Sequence, residues 1–365
     1  MSEDENWVLS SDNHGRTRWA KAVAGLPSNK PKWQLLKCAK YGASWDFCLT
    51  DSRIFISSAE LLAIALDIKT GEKIWETVFP TEASYDVAIN NREVFISPYI
   101  LDQEDGKIIE DLSSIDNISV VADIVDNVFY CHLIAPTEGL LRLDSKKEIF
   151  SFDSGLLMVH KDSGLIISRR DQYILASKWG NSKPIWKVTV PLAQDGDVML
   201  PSSVFMYVGD MVYVHICKDT LIKIEVHSGN IIWQSGPDEI EENETSYQSK
   251  PPQRFLGCDD TLYLCREIDD TGYLQARSVE DGRELWCIHT PQARAFLIAG
   301  DLLFGALDDV PVAWDRHTGK IVWNADKKMT AIIHAAAAAN KIIYTNTMSQ
   351  MRCYEWTEPY HSPAK

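Results

Sequence analysis

Short apolar runs recur along the whole chain and are separated by polar turns. Typical runs read IFIS, EVFIS, NVFYC, MVYVHI, TLYLC and KIIYTN. They are short, rich in β-branched and aromatic residues, and bounded by Asp, Asn and Gly, which favours strands over helices. The pattern therefore predicts an all-β protein.

One longer pattern repeats with fixed spacing. ALDIKTGEKIW at residues 65–75 and AWDRHTGKIVW at residues 313–323 share Ala, Asp, Thr-Gly and Trp at identical positions. The Asp side chain can accept hydrogen bonds from the turn that follows it, and Gly tolerates a positive φ there. The motif therefore predicts a β-hairpin whose second strand carries the Trp. Partial copies end at Trp19, Glu110, Phe150, Trp186, Trp233 and Trp286.

The spacing of these copies matches the blades of a β-propeller. Each copy is preceded by further strands, so one unit consists of three or four antiparallel strands. We predict an eight-bladed β-propeller of four-stranded blades, forming a single domain over residues 1–365. An N-terminal strand within residues 1–24 is expected to complete the last blade beside the C-terminal strands, which leaves no open edge. Seven blades are the alternative, because the unit near residues 84–112 is short.

The full motif, Ala-x-Asp-x-x-Thr-Gly-x-x-x-Trp, resembles the PQQ-like repeat of quinoprotein-type β-propellers. It is complete at Ala65–Trp75 and Ala313–Trp323, and partial copies cover most of the chain. That family includes quinone-dependent dehydrogenases as well as cofactor-free scaffolds, among them an outer-membrane assembly lipoprotein. The resemblance implies that the motif tryptophans dock one blade against the next. This structural role is implied for Trp19, Trp75, Trp186, Trp233, Trp286 and Trp323.

The sequence favours the cofactor-free branch of that family. The 8 cysteines include no adjacent pair, and the 9 histidines form no HExxH motif. We therefore expect no catalytic residue, no metal and no cofactor, and hence no enzyme. His160, His215 and His334 lie in or near candidate inner strands, where they either face the central channel or are ordinary strand residues. A PQQ-dependent or PQQ-like dehydrogenase remains the alternative.

The net charge and the N-terminal residues limit the partners and the cellular location that we expect. Lys and Arg number 36 against 52 Asp and Glu, so the net charge is −16, which disfavours nucleic acid and anionic lipid. The N-terminal residues MSEDENW lack the basic and apolar segments of a secretory signal, which predicts a cytoplasmic protein. A small-ligand or sugar-binding module is a further alternative, because aromatic rings outside the motif either stack on a ligand or pack in the core. These rings belong to Trp33, Trp45, Trp179 and Trp314.

An acidic insertion at residues 236–252 interrupts the repeat and is bounded by prolines. It is expected to be an exposed loop that either only solvates the chain or attracts a basic partner. Its candidate partner-binding residues are Asp238, Glu239, Glu241, Glu242 and Glu244. The sequence thus predicts a monomeric, non-enzymatic scaffold that binds another protein with a basic surface. An immunity or antitoxin-like inhibitor is one concrete form of such a scaffold.

Overall fold

The computed structural model describes most of the chain. The described residues are 19–20, 24–35, 47–58, 61–81, 83, 87–115, 118–133, 139–144, 147–151, 155–160, 162–170, 172–181, 183–190, 205–216, 220–235, 250–258, 260–268, 271–289, 293–329, 331–346 and 350–363. Every regular element in these ranges is a strand. Among them there is accordingly no helix able to cross a membrane.

The strands are short and follow one another closely. The first half of the chain contains β1 (Trp19–Ala20), β2 (Trp33–Leu35), β3 (Phe47–Leu49), β4 (Arg53–Ser58), β5 (Leu62–Asp67), β6 (Lys73–Val78), β7 (Ala88–Ile89), β8 (Glu93–Ile96), β9 (Tyr99–Asp102), β10 (Ile108–Asp111), β11 (Ile118–Val125), β12 (Val128–Leu133), β13 (Gly139–Leu143), β14 (Glu148–Ser151), β15 (Gly155–Val159), β16 (Leu165–Arg170), β17 (Tyr173–Lys178) and β18 (Trp186–Thr189). The second half contains β19 (Phe205–Val208), β20 (Met211–Ile216), β21 (Thr220–Glu225), β22 (Ile231–Ser235), β23 (Lys250–Gly257), β24 (Thr261–Ile268), β25 (Thr271–Ser278), β26 (Glu284–His289), β27 (Arg294–Ala299), β28 (Leu302–Leu307), β29 (Val310–Asp315), β30 (Ile321–Asn324), β31 (Ile332–Ala338), β32 (Lys341–Asn346) and β33 (Met351–Glu355).

Strands β2 to β33 form eight four-stranded antiparallel blades, and the chain is an eight-bladed β-propeller; β1 is a fifth strand on the sheet of blade 7. Blades 1 to 7 each take four consecutive strands, from β3–β6 in blade 1 to β27–β30 in blade 7. Blade 8 combines β31, β32 and β33 with the N-terminal strand β2. The predicted eight-bladed fold, closed by pairing of N- and C-terminal strands, is confirmed.

The chain divides into two compact units. One contains the described residues from 19 to 121 and from 295 to 363, and it includes blades 1, 2, 7 and 8. The other contains the described residues from 122 to 294, with blades 4, 5 and 6 and blade 3 from Ala122 onward.

The motif hairpin is held by its aspartate. In blade 1 one oxygen of Asp67 accepts the backbone N–H groups of Lys69 and Thr70, each at 2.8 Å. Partial burial acts to raise the pKa of Asp67, but the hydrogen bonds from Thr70 and Lys69 outweigh it and hold the pKa below its ordinary value. Gly71 closes the turn at φ +73°, a conformation that favours glycine. The motif therefore specifies the turn as well as the two strands.

An outer-strand tryptophan then docks on the hairpin of the next blade. Trp75 donates from Nε1 to the carbonyl oxygen of Gln103 at 3.0 Å, directly after Asp102 of the blade 2 hairpin. A Cβ at Gly106 would lie 2.5 Å from Cε3 of Trp75, so the indole fills the space that glycine leaves. The same bond recurs in three other blade pairs: Trp33 to Ile68, Trp186 to Val226 and Trp233 to Val279.

The apolar core lies between consecutive blades. In the cluster between blades 4 and 5, buried Ile167 and Ala176 pack with Val214 and Ile222. Successive side chains along each strand point to opposite faces of the blade, and each face packs on a neighbouring sheet. Burial of the apolar faces thus depends on the neighbouring blades.

Blade 8 is completed by a different N-terminal strand from the expected one. Strand β2 pairs with β33, with Trp33 opposite Cys353 and Leu35 opposite Met351. The strand within residues 1–24, which contains Trp19, instead pairs in parallel with β27 of blade 7, opposite Ile298. The physical reason is that Trp33 supplies the indole that the blade 1 hairpin requires, since it donates to Ile68 and lies against Gly71.

The described contact between blades 7 and 8 lacks the hydrogen bond that the indole Nε1 makes in the four blade pairs above. Trp323 is buried, and its ring meets Tyr354 edge-on with centroids 5.3 Å apart. Its Nε1 has no hydrogen-bond partner among the described residues. In blade 8 the outer hairpin is replaced by the two ends of the chain, because β33 and β2 are not consecutive.

Glycine at the docking point tests this arrangement. Gly229 and Gly180 share a φ of +74°, but a Cβ at Gly229 would lie 2.6 Å from Trp186, whereas a Cβ at Gly180 would meet nothing within 4 Å. We expect Gly180→Ala to lower the free energy of unfolding by about 1–2 kcal/mol from backbone strain alone. Gly229→Ala should cost roughly 1–3 kcal/mol more, because the indole must move. Urea unfolding measures both, and equal losses would contradict the docking role.

The closing strand gives a second test. Trp33→Ala should lower the free energy of unfolding by roughly 3–5 kcal/mol, because it removes the indole that docks blade 8 on blade 1. Gln34→Ala, exposed on the same strand, should change it by less than about 0.5 kcal/mol. Thermal and urea unfolding of both variants measure this difference in stability. A Trp33→Ala protein as stable as the Gln34→Ala protein would show that β2 is not required for closure.

Candidate functional site

The last strand of each blade carries the motif's aromatic position and forms the outer edge of its sheet. The residue directly before that position is apolar in blades 1 to 7. In six of these blades its side chain is 43–54% exposed. The six residues are Ile74, Ile109, Ile149, Ile185, Ile232 and Leu285. Because neighbouring strand residues face opposite sides, a tryptophan that turns to the next blade leaves the preceding residue uncovered.

The outer strands of the first two blades carry four exposed apolar residues, two on each strand. Ile74 and Val78 on β6 are exposed, as are Ile108 and Ile109 on β10. We call these four residues the Ile74/Ile109 surface. The two strands belong to blades that are docked through Trp75 and Gly106. The hydroxyl of Thr77 also donates to the carbonyl oxygen of Gly106 at 2.5 Å, which fixes the strands relative to each other.

Acidic side chains flank the Ile74/Ile109 surface. Glu76 is exposed on β6, and Asp111 is exposed at the end of β10. Hydrogen bonds from the side chain and backbone of Ser113 hold the pKa of Asp111 below its ordinary value. Asp111 is therefore negatively charged at neutral pH. Lys73 pairs with Glu76 at 2.8 Å, but a pair this exposed contributes little to stability.

A similar group occurs in the second compact unit. Ile185 directly before β18, Ile231 and Ile232 on β22, and Leu285 on β26 are all 43–50% exposed. They belong to blades 4, 5 and 6, which Trp186 and Trp233 dock in sequence. Exposed apolar residues are common singly, but recurrence at the same position of six blades is a property of the repeat itself.

The acidic residues predicted to bind a partner cannot be placed. Asp238, Glu239, Glu241, Glu242 and Glu244 lie outside the described residues, as does the rest of the acidic insertion up to residue 249.

The motif tryptophans have the following positions. Trp75, Trp186 and Trp233 dock on the next hairpin, and Trp323 packs on Tyr354. Trp286 lies 5.9 Å from Tyr263 of its own blade, centroid to centroid. Trp19 is described only by its backbone, in β1.

The aromatic residues considered for ligand stacking are engaged in packing. Trp314 is 1% exposed, and Trp33 covers Gly71. Trp179 meets Tyr130 edge-on at 5.7 Å and has the Arg142 guanidinium 5.6 Å from its ring centre. Trp45 lies outside the described residues. The three described rings therefore take part in the fold.

One group of described side chains has the donor atoms and spacing to hold a metal ion. It consists of His160, Asp162 and Asp210. Of the three histidines singled out in the sequence, His160 alone has a described side chain, and it is 1% exposed.

Sequence reasoning missed the exposed apolar position, although the signal is visible. The residues around it read KIW, IIE, EIF, PIW, IIW, ELW and IVW. A strand that buries its aromatic residue should turn the preceding residue toward solvent, where an isoleucine is unexpected.

Comparisons with known proteins support the fold alone. No protein-family model and no curated protein matches this sequence. Among solved structures, the chain is similar to the computationally designed Ika8 protein, with a TM-score of 0.64 and 12% identity over 85% of this chain and 95% of that one. It is also similar to BamB from Moraxella catarrhalis, with a TM-score of 0.46 and 14% identity over 96% of this chain and 100% of that one.

Proposed function

We propose that this propeller is a non-enzymatic scaffold that binds another protein through its outer strands. The observation that carries the proposal is the exposed apolar residue before the aromatic position, which recurs in six blades. Apolar side chains at a solvent-facing strand position are a typical feature of protein interfaces when several lie together. Blades 1 and 2 carry four exposed apolar residues on their outer strands, and these make up the proposed Ile74/Ile109 surface.

The charge of the chain favours a basic partner. The net charge is −16, and exposed carboxylates such as Glu76 and Asp111 border the Ile74/Ile109 surface. An apolar centre with a charged rim combines affinity with electrostatic steering toward an oppositely charged protein. The acidic residues at 238–244 would add to this attraction. The same charge disfavours nucleic acids and anionic membranes as partners.

The proposed scaffold needs no cofactor, and we place it in the cytoplasm as a monomer. An immunity or antitoxin-like inhibitor fits this description, because covering a basic toxin requires an acidic surface with apolar contacts and no chemistry. Membership of the PQQ-like repeat family rests on the motif residues, which include Asp67, Thr70, Gly71 and Trp75.

The outer-strand surface is tested by capture of a partner from the native host. The full chain, immobilised, should retain a basic protein at low salt and release it at roughly 0.5 M salt, where charges are screened. The double variant Ile74→Ser/Ile109→Ser should lose that protein. Both positions are exposed, so each change should alter the free energy of unfolding by less than about 0.5 kcal/mol.

A matched control separates a specific surface from a general effect of substitution. Gln34→Ser changes an exposed residue on β2, an outer strand that carries none of the residues of the Ile74/Ile109 surface. It should retain the partner at low salt with only a small loss. Capture that is equal for wild type and the double variant, or unaffected by salt, would refute the proposed surface and the electrostatic attraction respectively.

The enzyme alternative has its own test. We expect that dialysis against excess PQQ with Ca²⁺ leaves no chromophore on the protein and no dye reduction with alcohols or sugars. A retained chromophore with substrate-dependent dye reduction would overturn the non-enzymatic assignment.

A further inference from the structure

Three turns from two neighbouring blades meet around His160. His160 follows β15 in blade 4, and Asp162 lies two residues later in the same turn. Asp210 lies in the tight turn between β19 and β20 of blade 5. His227 belongs to the hairpin between β21 and β22, whose Val226 N–H donates to the carbonyl oxygen of Asp210 at 2.9 Å. The blade framework therefore brings together four residues from three separate turns of the chain.

The donor atoms of these residues lie at distances suited to sharing one ion. One ligand atom from each of His160, Asp162 and Asp210 lies within 4.8 Å of the other two. Nε2 of His160 is 3.8 Å from Oδ1 of Asp210, and Nε2 of His227 is 3.3 Å from the same oxygen. A tetrahedral Zn²⁺ with bonds of about 2.0–2.1 Å separates its donor atoms by roughly 3.3 Å. Small side-chain movements therefore suffice to reach coordination distances.

The buried histidine is already oriented from behind. Nδ1 of His160 is 2.8 Å from the hydroxyl of Ser163, and Nε2 is 2.9 Å from the carbonyl oxygen of Gly209. A carbonyl oxygen only accepts, so Nε2 carries the proton and donates to Gly209, while Nδ1 accepts from the hydroxyl of Ser163. Metal binding at Nε2 requires the other neutral tautomer, in which Nδ1–H donates to Ser163. Metal-binding histidines usually have such a second hydrogen bond, which fixes the ring and its tautomer. An ion would replace the proton that now lies between Nε2 and Gly209.

We propose that His160, Asp162 and Asp210, with His227 as the fourth ligand, form a binding site for a divalent transition metal ion such as Zn²⁺. Two imidazoles and two carboxylates suit Zn²⁺, Co²⁺ or Ni²⁺ better than Ca²⁺ or Mg²⁺, which prefer oxygen ligands alone. The rings of His160 and His227 have centroids 6.0 Å apart and are nearly perpendicular, so both can turn a nitrogen toward Asp210. The ion would join the turns of blades 4 and 5.

Blade 7 shows what a histidine–aspartate pair does without this neighbour. Nε2 of His317 lies 3.1 Å from Oδ1 of Asp301, in the same relation as His227 to Asp210. The other oxygen of Asp301 accepts the N–H of Ser362 at 3.0 Å. Asp301 is thus engaged by the C-terminal tail, and the grouping of described donors that includes Asp210 does not include it. His317 therefore provides a matched control.

The experiment uses the full chain after treatment with a chelator and its removal. Titration with Zn²⁺ alone, followed by calorimetry, should show a saturable site, and Co²⁺ should give the visible absorption of a tetrahedral complex. Asp162→Asn and Asp210→Asn are changes on exposed turns that preserve the fold, which circular dichroism checks. Each should weaken Zn²⁺ binding by about tenfold or more. His317→Ala should bind Zn²⁺ as the wild type does.

Two results would overturn the metal site. One is a wild-type chain that shows no saturable Zn²⁺ binding, or that binds Ca²⁺ or Mg²⁺ equally well. The other is Zn²⁺ binding that Asp162→Asn and Asp210→Asn leave unchanged, or that His317→Ala weakens as much as they do. Neither result depends on the partner proposed above, because the metal is measured with the isolated chain.

Discussion

The structure depends on one contact, an indole that covers a glycine of the next blade. The glycine is required twice, because the turn needs a positive φ and because a Cβ would occupy the space of the ring. The hydrogen bond from the indole Nε1 to the carbonyl beside the glycine fixes the direction of the ring, as in Trp75 with Gln103. Apolar burial alone is not directional, so this polar contact sets the register between blades. Each described contact of this type links consecutive blades of one unit, which explains why the motif recurs at blade spacing.

The ends of the chain take over this role where the motif is missing. Trp33 docks on blade 1, and the N–H of Tyr360 donates to the carbonyl oxygen of Ala24 at 2.8 Å, so the two ends pair beside blade 8. The hydroxyl of Tyr360 also donates to Asp315 at 2.8 Å. Burial acts to raise the pKa of Asp315, but hydrogen bonds from Ser362, Tyr360 and Thr318 outweigh it and lower the pKa. The motif aspartate of blade 7 thus anchors the tail as well as its own turn. Within the described part of the chain Nε1 of Trp323 has no hydrogen-bond partner, so the chain ends do not replace the bond that the other docked indoles make.

The sequence predicts the features that each motif copy encodes locally, and it misses contacts that occur once, such as the pairing of β2 with β33. Strand type, hairpins and the number of blades follow from the motif, because each copy carries its own local reasons for folding. The motif does not predict Trp33 as the closing residue, because neither Asp nor Gly stands at the motif positions before it. Trp19 has a glycine four residues before it, so the motif favours Trp19, although the strand of Trp19 lies beside β27. The pairing of β2 with β33 depends on contacts between residues that are far apart in sequence, and a local sequence pattern does not contain this information. The exposed isoleucines were visible in the repeat, but only burial of the docked indole explains why they face solvent.

The histidine cluster around His160 is a feature that the repeat motif does not predict. His160, Asp210 and His227 are separated by long stretches of chain, and no spacing rule for metal ligands connects them. Their proximity follows from two contacts: His160 in the first turn of blade 4 bonds Gly209 in the first turn of blade 5, and the last hairpin of blade 5 is bonded to that same turn. Blades 5 and 7 both pair a histidine of the last hairpin with an aspartate of the first turn. In blade 5 the third participant is a histidine of blade 4, and in blade 7 it is the tail. The repeated blade structure therefore places a histidine beside an aspartate. The group that contacts this pair from outside the blade determines whether the pair can contribute to a metal site.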